Sequence, residues 1–523
     1  MKIYLEKYYW SSKNNIRVTG YILEAEKIIR DKDLLDYFSK INTIIEFENR
    51  LIEANGQFSV IIDNKDEIWI ACDRARNYPL FYTYENDELI ISDNCYNCLK
   101  IKSFPHINNI AANAFLAAGY VPNNLTLIDD IYQVEAGSIV VFSNKISSKF
   151  YHNCAKIPVI DIDVDTAERS LRDLLESVFS NHLNVIKDKF IAVSLSGGYD
   201  SRLIALMAKK YHPENLICFT YGRKNNPEAS RAQKVAKIIG VDWINIEYNS
   251  DLIKGFINDK TFQLYFPFAS DFSSMFYMQD YFAVKYLKEN KVVPESCVFI
   301  PGHSGDTVAG SHLSYSMNKA LSDNDLVEKI YNNHFIHVRI PDDQKSLIHC
   351  LIKERIPSIN PHAWKTYENW IIKERQAKFI VNSTKVYLYF GYDYIMPFWD
   401  KHLIDFFSAL PFRMKLNKQL YDNVLKKSFF NEQGLNFNDD IHIGFFTRLF
   451  LYFMNSVKSF LPYSLVTLLT DQKNIVLYDE IKKELCEDMG NENVIRPIQA
   501  NFYNSYLIQW YLFRTRELVN SLK

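Results

Sequence analysis

Short apolar runs alternate with amphipathic stretches along most of this chain. Gln57–Ile62 and Glu67–Cys72 are β-rich runs separated by Asp63-Asn-Lys-Asp66, which predicts a hairpin. Asp73–Tyr82 and Leu89–Asp93 predict a second strand pair. Beyond residue 190 the pattern changes. Phe190–Leu195, Leu216–Tyr221, Trp243–Tyr248 and Cys297–Ile300 read as short buried strands. Leu203, Ile204, Leu206 and Met207 fall on one helical face. So do Ala229, Ala232, Val235, Ala236 and Ile239, with Gly240 placed to close the helix. Evenly spaced strand–helix–strand units predict a parallel sheet covered by helices on both sides. Residues 157–165 read as a linker, Thr166–Leu183 as a helix entering the sheet, and the chain beyond 315 as mostly helical. The organisation expected is a mixed α/β part over 1–150, an α/β part over 166–430 and a helical extension over 431–523, whose Phe and Tyr stripe reads as core packing.

Composition narrows the class. With 523 residues, 48% hydrophobic and 23% charged, the chain is globular and long enough for two or three domains. A net charge of -2 argues against a nucleic-acid surface spread over the molecule. Eight cysteines are scattered, and Cys95-x-x-Cys98 lacks the second pair that a structural zinc site needs. They read as reduced thiols of a cytoplasmic protein. Met1–Lys7 has no apolar signal core. The most apolar span, 445–470, is interrupted by Arg448, Lys458 and Pro462, leaving pieces too short to cross a bilayer.

Candidate chemistry begins at Ser196-Gly-Gly-Tyr-Asp-Ser201, between a predicted strand and a predicted helix. Helix-start N–H groups and the helix dipole point at one spot, an anion site. Gly197 and Gly198 allow close backbone approach, and Ser196 and Ser201 add hydroxyls. Asp200 would repel a phosphate unless Mg²⁺ lies between them. The segment resembles the pyrophosphate loop of the N-type ATP pyrophosphatases, within the asparagine synthetase and β-lactam synthetase family. The resemblance implies an N-terminal-nucleophile-like α/β sandwich followed by a parallel-sheet ATP-pyrophosphatase domain with a helical C-terminal part. It implies that Leu195 and the Tyr221 backbone flank adenine; simple sheet packing is the alternative for Tyr221. Pro301-Gly-His-Ser-Gly-Asp-Thr307 is similar to the family's Ser-Gly-Glu-Gly-x-Asp-Glu motif. Gly302 and Asp306 match, while Pro301, His303, Ser304 and Thr307 depart. Asp306, otherwise a turn former, becomes the second Mg²⁺ ligand. His303 stands where the family has Glu or Tyr near the attacking amine, as a general base, a positioning group or a loop hydrogen-bonder.

Further matches fix further expectations. Asn55-Gly-Gln-Phe58, Asp73 with Pro79-Leu-Phe-Tyr82, and Ile91-Ser-Asp93 resemble the family's glutaminase domain. That domain uses a cysteine directly after the initiator methionine; here Lys2 stands there, and no cysteine precedes Cys72. A domain kept for shape is expected, with nitrogen from ammonia, an amine, or a separate glutaminase. Arg375–Lys378 and Met396-Pro-Phe-Trp-Asp400 resemble the segment up to and including the family's Arg-x-Pro-Phe-Leu-Asp motif, with Ile395 for its arginine. Lys385 falls where a lysine approaches the ATP phosphates, the alternative being a solvated side chain. Asp422 occupies the position of a second lysine, and Lys415, Lys418 and Lys426 are nearby substitutes; Lys418 is the chosen candidate. The resemblance implies an AMP-forming amide ligase that uses ATP and Mg²⁺ to activate a small-molecule carboxylate. Rival readings are an ATP-binding scaffold, a tRNA-modifying adenylating enzyme and an ammonia-dependent asparagine synthetase.

Overall fold

The computed structural model describes residues 1–24, 27–64, 66–318, 321–357, 362–437, 478–498 and 503–522. The apolar span 445–470 lies outside the described residues. Two sheets build the first part. Ile146–Phe150, Ser138–Phe142, Glu67–Cys72, Gly56–Asn64, Ile16–Glu24 and Ser11–Lys13 pair in that order, and Lys27–Arg30 joins Ile16–Glu24. Lys2–Tyr4, Glu88–Ser92, Phe81–Glu85 and Ile131–Gln133 form the second sheet. Ile61, Ile70 and Val140 of the first sheet meet Tyr82, Leu89 and Ile91 of the second in one buried cluster. The outer face of the larger sheet is covered by helices Asp31–Tyr37 and Ile44–Glu53, whose Leu34, Phe47 and Leu51 pack on Val60, Ile62 and Trp69. Burial on both faces is why Gln57–Ile62 is a continuous run and not an alternating one.

The hairpin forms as expected, with Asn64 opposite Glu67 and Ser59 opposite Cys72. The strand expected over Asp73–Tyr82 is shorter, starting at Phe81. The Asp73 carboxylate accepts from the N–H groups of Phe58, Ala75 and Asn77 and from the Asn77 side chain, at 2.7–3.1 Å. This local capture curls residues 73–77 away from the ladder.

The second part is built on five parallel strands, in the order Asp242–Glu247, Leu216–Gly222, Ile191–Ser194, Val298–Ile300 and Asp393–Tyr394. Helices Val164–Asn184, Tyr199–Tyr211 and Pro227–Ile239 bury Leu171, Leu175, Leu203, Ile204, Ala232 and Val235 in the same core as Ala192, Val193 and Phe219. Asp163 caps the first helix by accepting from Thr166 N at 2.9 Å, and Gly240, at φ +72°, closes the third. From the middle strand the chain moves outward twice, then returns to the opposite side at Val298–Ile300. The switch in strand order therefore lies between Ile191–Ser194 and Val298–Ile300, where ligands of such sheets bind.

Helices Cys95–Ile101 and Asn109–Ala118 of the first part and Tyr503–Ser521 at the end of the chain contribute to this one large core. Phe115 and Tyr511 pack with ring centroids 5.7 Å apart. Among the described residues no helix is long and apolar enough to cross a membrane.

Candidate active site

Both glycine loops emerge at the switch point and are wedged together. In the first, Ser196 N donates to Ser201 Oγ at 3.2 Å and Gly198 N to Ser196 Oγ at 3.3 Å. Gly197 has φ +78°, a region open to glycine. Arg202, fully buried, donates to Gly197 O at 2.6 Å and to Leu435 O at 2.5 Å, which anchors the loop from below. The second loop has no room for side chains where it meets the first. A Cβ at Gly302 would lie 3.2 Å from Ser201 N, and one at Gly305 only 2.7 Å from Asp200 Oδ2.

This packing brings the two acids together. Asp306 N donates to Asp200 Oδ2 at 2.8 Å, and Tyr421 Oη donates to Asp200 Oδ1 at 2.8 Å. Burial, with the nearby Asp306 charge, raises the Asp200 carboxyl to about 7, against the opposing pull of Lys418. Two carboxylates held close, one of them destabilised as an anion, form a donor set that suits a divalent cation. Among the described residues no third His, Cys, Asp or Glu joins them as a metal cluster. Such a pair fits Mg²⁺, which commonly takes one or two carboxylates and completes its shell with phosphate oxygens and water.

The other expected residues divide. Lys418 does reach this end of the site, 3.3 Å from Asp422 Oδ1 and close enough to Asp200 to favour its ionised form. It is placed there by an uncommon backbone: Asn417 and Lys418 have φ +56° and +60° in succession. His303 Nε2 lies 2.8 Å from Ser383 Oγ, and burial holds its imidazole below the usual range despite Asp280 and Asp306. Leu195 is buried, and its carbonyl accepts from Thr220 Oγ1 at 2.6 Å. The Tyr221 side chain is committed to packing: its hydroxyl donates to Asp280 and its ring stacks on Tyr248 at 5.4 Å. Lys385 requires correction. It is neither solvated nor directed at the loops. Its ammonium donates to Asn77 O in the first part and lies 4.9 Å from the Tyr8 ring.

A family model described as asparagine synthase matches residues 170–431, half of the chain. The chain belongs to the asparagine synthase family. It is 26% identical over 204 residues to the glutamine-hydrolysing asparagine synthetase 1 of Bacillus subtilis (strain 168), covering 38% of this chain and 32% of that protein. It is 24% identical over 273 residues to a probable glutamine-hydrolysing asparagine synthetase of Acanthamoeba polyphaga mimivirus, covering 51% and 47%. It is 22% identical over 271 residues to the microcin J25-processing protein McjC of Escherichia coli, covering 50% and 48%. The matches thus span a third to a half of these relatives' lengths.

Against the asparagine synthase motif, Ser304 stands at a glycine position, and the geometry explains both residues. Ser304 has φ +73°, where glycine is the unstrained choice. The strain is held by two contacts of its hydroxyl group and one behind them: Ser304 Oγ donates to Gln376 Oε1 at 2.7 Å and accepts from Trp399 Nε1 at 3.0 Å, while Gln376 Nε2 donates to Thr307 Oγ1 at 3.0 Å. Sequence reasoning missed Gln376, Tyr421 and Trp399 as supports of the loops. Trp399 lies inside the recognised Met396–Asp400 segment and Gln376 inside Arg375–Lys378, so a signal existed for both; nothing local marks Tyr421.

Proposed function

We propose that this protein is an ATP-dependent, AMP-forming amide ligase. A substrate carboxylate attacks the α-phosphorus of ATP, giving an acyl-adenylate and pyrophosphate. An amine or ammonia then attacks the acyl carbon; the C–N bond forms as the acyl–phosphate bond breaks, and AMP leaves. The observation that carries this reading is the contact of Asp200 with the Asp306 loop at the switch point of a parallel sheet, in a chain of the asparagine synthase family. The 196–201 loop and the following helix start hold the pyrophosphate, with Leu195 and the Tyr221 backbone beside the adenine. Asp200 and Asp306 hold Mg²⁺, which screens the phosphates when bound. Lys418 supplies the cation next to them in place of the lysine replaced by Asp422. His303, neutral near pH 7, orients the attacking amine or accepts its proton, with Ser383 fixing its ring.

Nitrogen does not come from glutamine by this chain alone in this reading. Lys2 pairs with Glu88 at 2.8 Å, and the cavity between Asn55, Gln57, Arg74, Asn77 and Trp399 measures only about 10 Å³. Such a space holds a water at most. Ammonia, an amine or a separate glutaminase is the source, and the cytoplasm, where ATP is plentiful, is the expected compartment.

Pyrophosphate release tests the proposal. Protein, Mg²⁺ and ATP are mixed with a panel of carboxylates, with and without ammonia. Pyrophosphate and AMP that depend on one carboxylate, and vanish in Asp200→Asn and Asp306→Asn, are expected. Full activity in either variant removes the metal assignment. The displaced Lys385 favours one second reading, an ATP-binding scaffold; silence across the panel with ATP still bound would support it.

A further inference from the structure

Two arginines meet Gly197 of the first glycine loop, and only one of them is spent. Arg202 donates to its carbonyl. Arg231 lies against its α-carbon: a Cβ at Gly197 would stand 2.7 Å from Arg231 Cγ, 2.9 Å from Cδ and 3.0 Å from Cβ. Gly198, the next residue, has no such neighbour, and a Cβ there would meet Ser196 Oγ at 3.4 Å. Glycine at 197 is therefore required twice, by its φ of +78° and by the stem of Arg231. Arg231 comes from the helix Pro227–Ile239, which packs beside Tyr199–Tyr211, the helix that the loop opens. The fold thus lays an arginine stem along the loop and carries its guanidinium, one bond beyond Cδ, to the edge of the loop.

That guanidinium is uncommitted. Arg231 is half-buried, and it makes no hydrogen bond, ion pair or ring contact among the described residues. The other cations are engaged. Arg202 serves the carbonyls of Gly197 and Leu435, Lys418 pairs with Asp422, and Lys385, expected at the phosphates, donates to Asn77 O. Glu228, one turn earlier on the helix, is the acid that feels Arg231: burial raises its carboxyl and the Arg231 charge opposes this, yet the two form no ion pair. What the loop itself offers an anion is partial charge, about half an elementary charge from the helix start. A leaving pyrophosphate carries more negative charge than that and one Mg²⁺ can offset together. A free guanidinium beside the loop is the group that the balance lacks.

We infer that Arg231 is a phosphate-binding residue of this chain, holding the β- and γ-phosphates of ATP and then the pyrophosphate. The inference rests on the ligase reading above and deepens it, because Arg231 supplies the phosphate cation that Lys385 does not. When the substrate carboxylate attacks the α-phosphorus, the bond from that phosphorus to the oxygen bridging to the β-phosphate breaks. The electron pair stays on that oxygen and leaves with the pyrophosphate. Arg231 stands at the loop where this charge collects, and its planar fork suits two phosphate oxygens at once.

The test uses the full chain with Mg²⁺, titrated separately with α,β-methylene-ATP, pyrophosphate and AMP. Three variants separate the charge from the stem. Arg231→Met keeps an unbranched side chain against Gly197 and removes the guanidinium, Arg231→Ala removes both, and Arg231→Lys keeps a charge. Arg231→Met and Arg231→Ala should each bind the ATP analogue and pyrophosphate on the order of 10-fold more weakly, and Arg231→Lys should lose less. All three should bind AMP as the parent does, which also reports that each variant is folded. Parental pyrophosphate binding in Arg231→Met, with the loss confined to Arg231→Ala, overturns the inference, since packing on the loop would then be the whole role. AMP binding weakened as much as pyrophosphate binding overturns it, as does a parent that binds AMP but neither pyrophosphate nor the analogue. The two readings fail separately: Arg231-dependent pyrophosphate binding, with no carboxylate-dependent pyrophosphate release by the parent, removes the ligase reading alone. Carboxylate-dependent release by the parent, with pyrophosphate binding unchanged in Arg231→Met, removes the inference alone.

Discussion

Asp200 should destabilise the metal-free protein, and replacing it with asparagine should reveal by how much. Its carboxyl is raised to about 7 in the fold, while in an unfolded chain it would titrate near 4. Between those values the folded chain holds a proton that the unfolded chain has released. The stabilisation from that proton is complete below about pH 4 and is lost as the pH rises through 7. Three pK units at about 1.4 kcal/mol each set an upper bound near 4 kcal/mol. Partial solvent access and relaxation of Asp306 reduce this to about 2 kcal/mol. Asparagine fits the same contacts. Its Oδ1 can accept from Asp306 N, and its Nδ2 can donate to the Tyr421 oxygen, because a phenol accepts as well as donates. Metal-free Asp200→Asn should therefore melt about 2 °C above the parent at pH 8, and at the same temperature at pH 4. Thermal unfolding in a chelator at pH 4, 5, 6, 7 and 8 measures this. A variant no more stable than the parent at pH 8, or one with an equal gain at pH 4 and pH 8, refutes the reasoning.

Three further outcomes are expected. Gly305→Ala should lose on the order of 100-fold in pyrophosphate release, since its Cβ would meet Asp200 Oδ2 at 2.7 Å and the loops must part; a variant with parental activity would show that the contact is dispensable. Lys7→Met should lose about 3 kcal/mol or more in denaturant unfolding, because the buried Lys7–Asp271 pair would leave an unpaired carboxylate at 4% exposure. Purified protein given glutamine should release no ammonia above a blank in a coupled dehydrogenase assay, and release that survives purification would overturn the reading of Lys2.

The parallel sheet, its helices and both glycine loops were legible because their signals are local. An apolar run, a glycine turn and an acid are contiguous in Ser196–Ser201 and again in Gly302–Asp306. The caps at Asp163 and Gly240 are likewise single-residue signals with a single backbone consequence. Legibility ended where position depends on distant backbone. Lys385 lies at a plausible distance along the chain, yet its ammonium donates to Asn77 of the first part. Lys418 reaches Asp200 only through two successive left-handed residues, which no propensity for Asn or Lys announces. Arg375 lies in a segment that the sequence matched, but the side it presents was not legible. Its face is set by a π-helical phase, while sequence reading assumes 3.6 residues per turn. The strand Asp393–Tyr394 has two residues and no pattern to find.

The first part of the chain bears on the loops. Asn55 Nδ2 donates to Asp400 Oδ2 at 2.8 Å, and Lys401 N donates back to Asn55 Oδ1 at 2.9 Å. Asp400 also receives His182 at 3.2 Å and caps the helix Lys401–Ala409 through His402 N. Its neighbour Trp399 reaches Ser304, the strained residue of the second loop. A continuous path of hydrogen bonds and one peptide thus runs from the sandwich to the turn that presents Asp306. A strained turn persists only where its surroundings over-determine it. On this argument the loop geometry depends on the sandwich, which braces it, and the 10 Å³ left between Asn55, Arg74 and Trp399 is what a well-packed brace leaves behind.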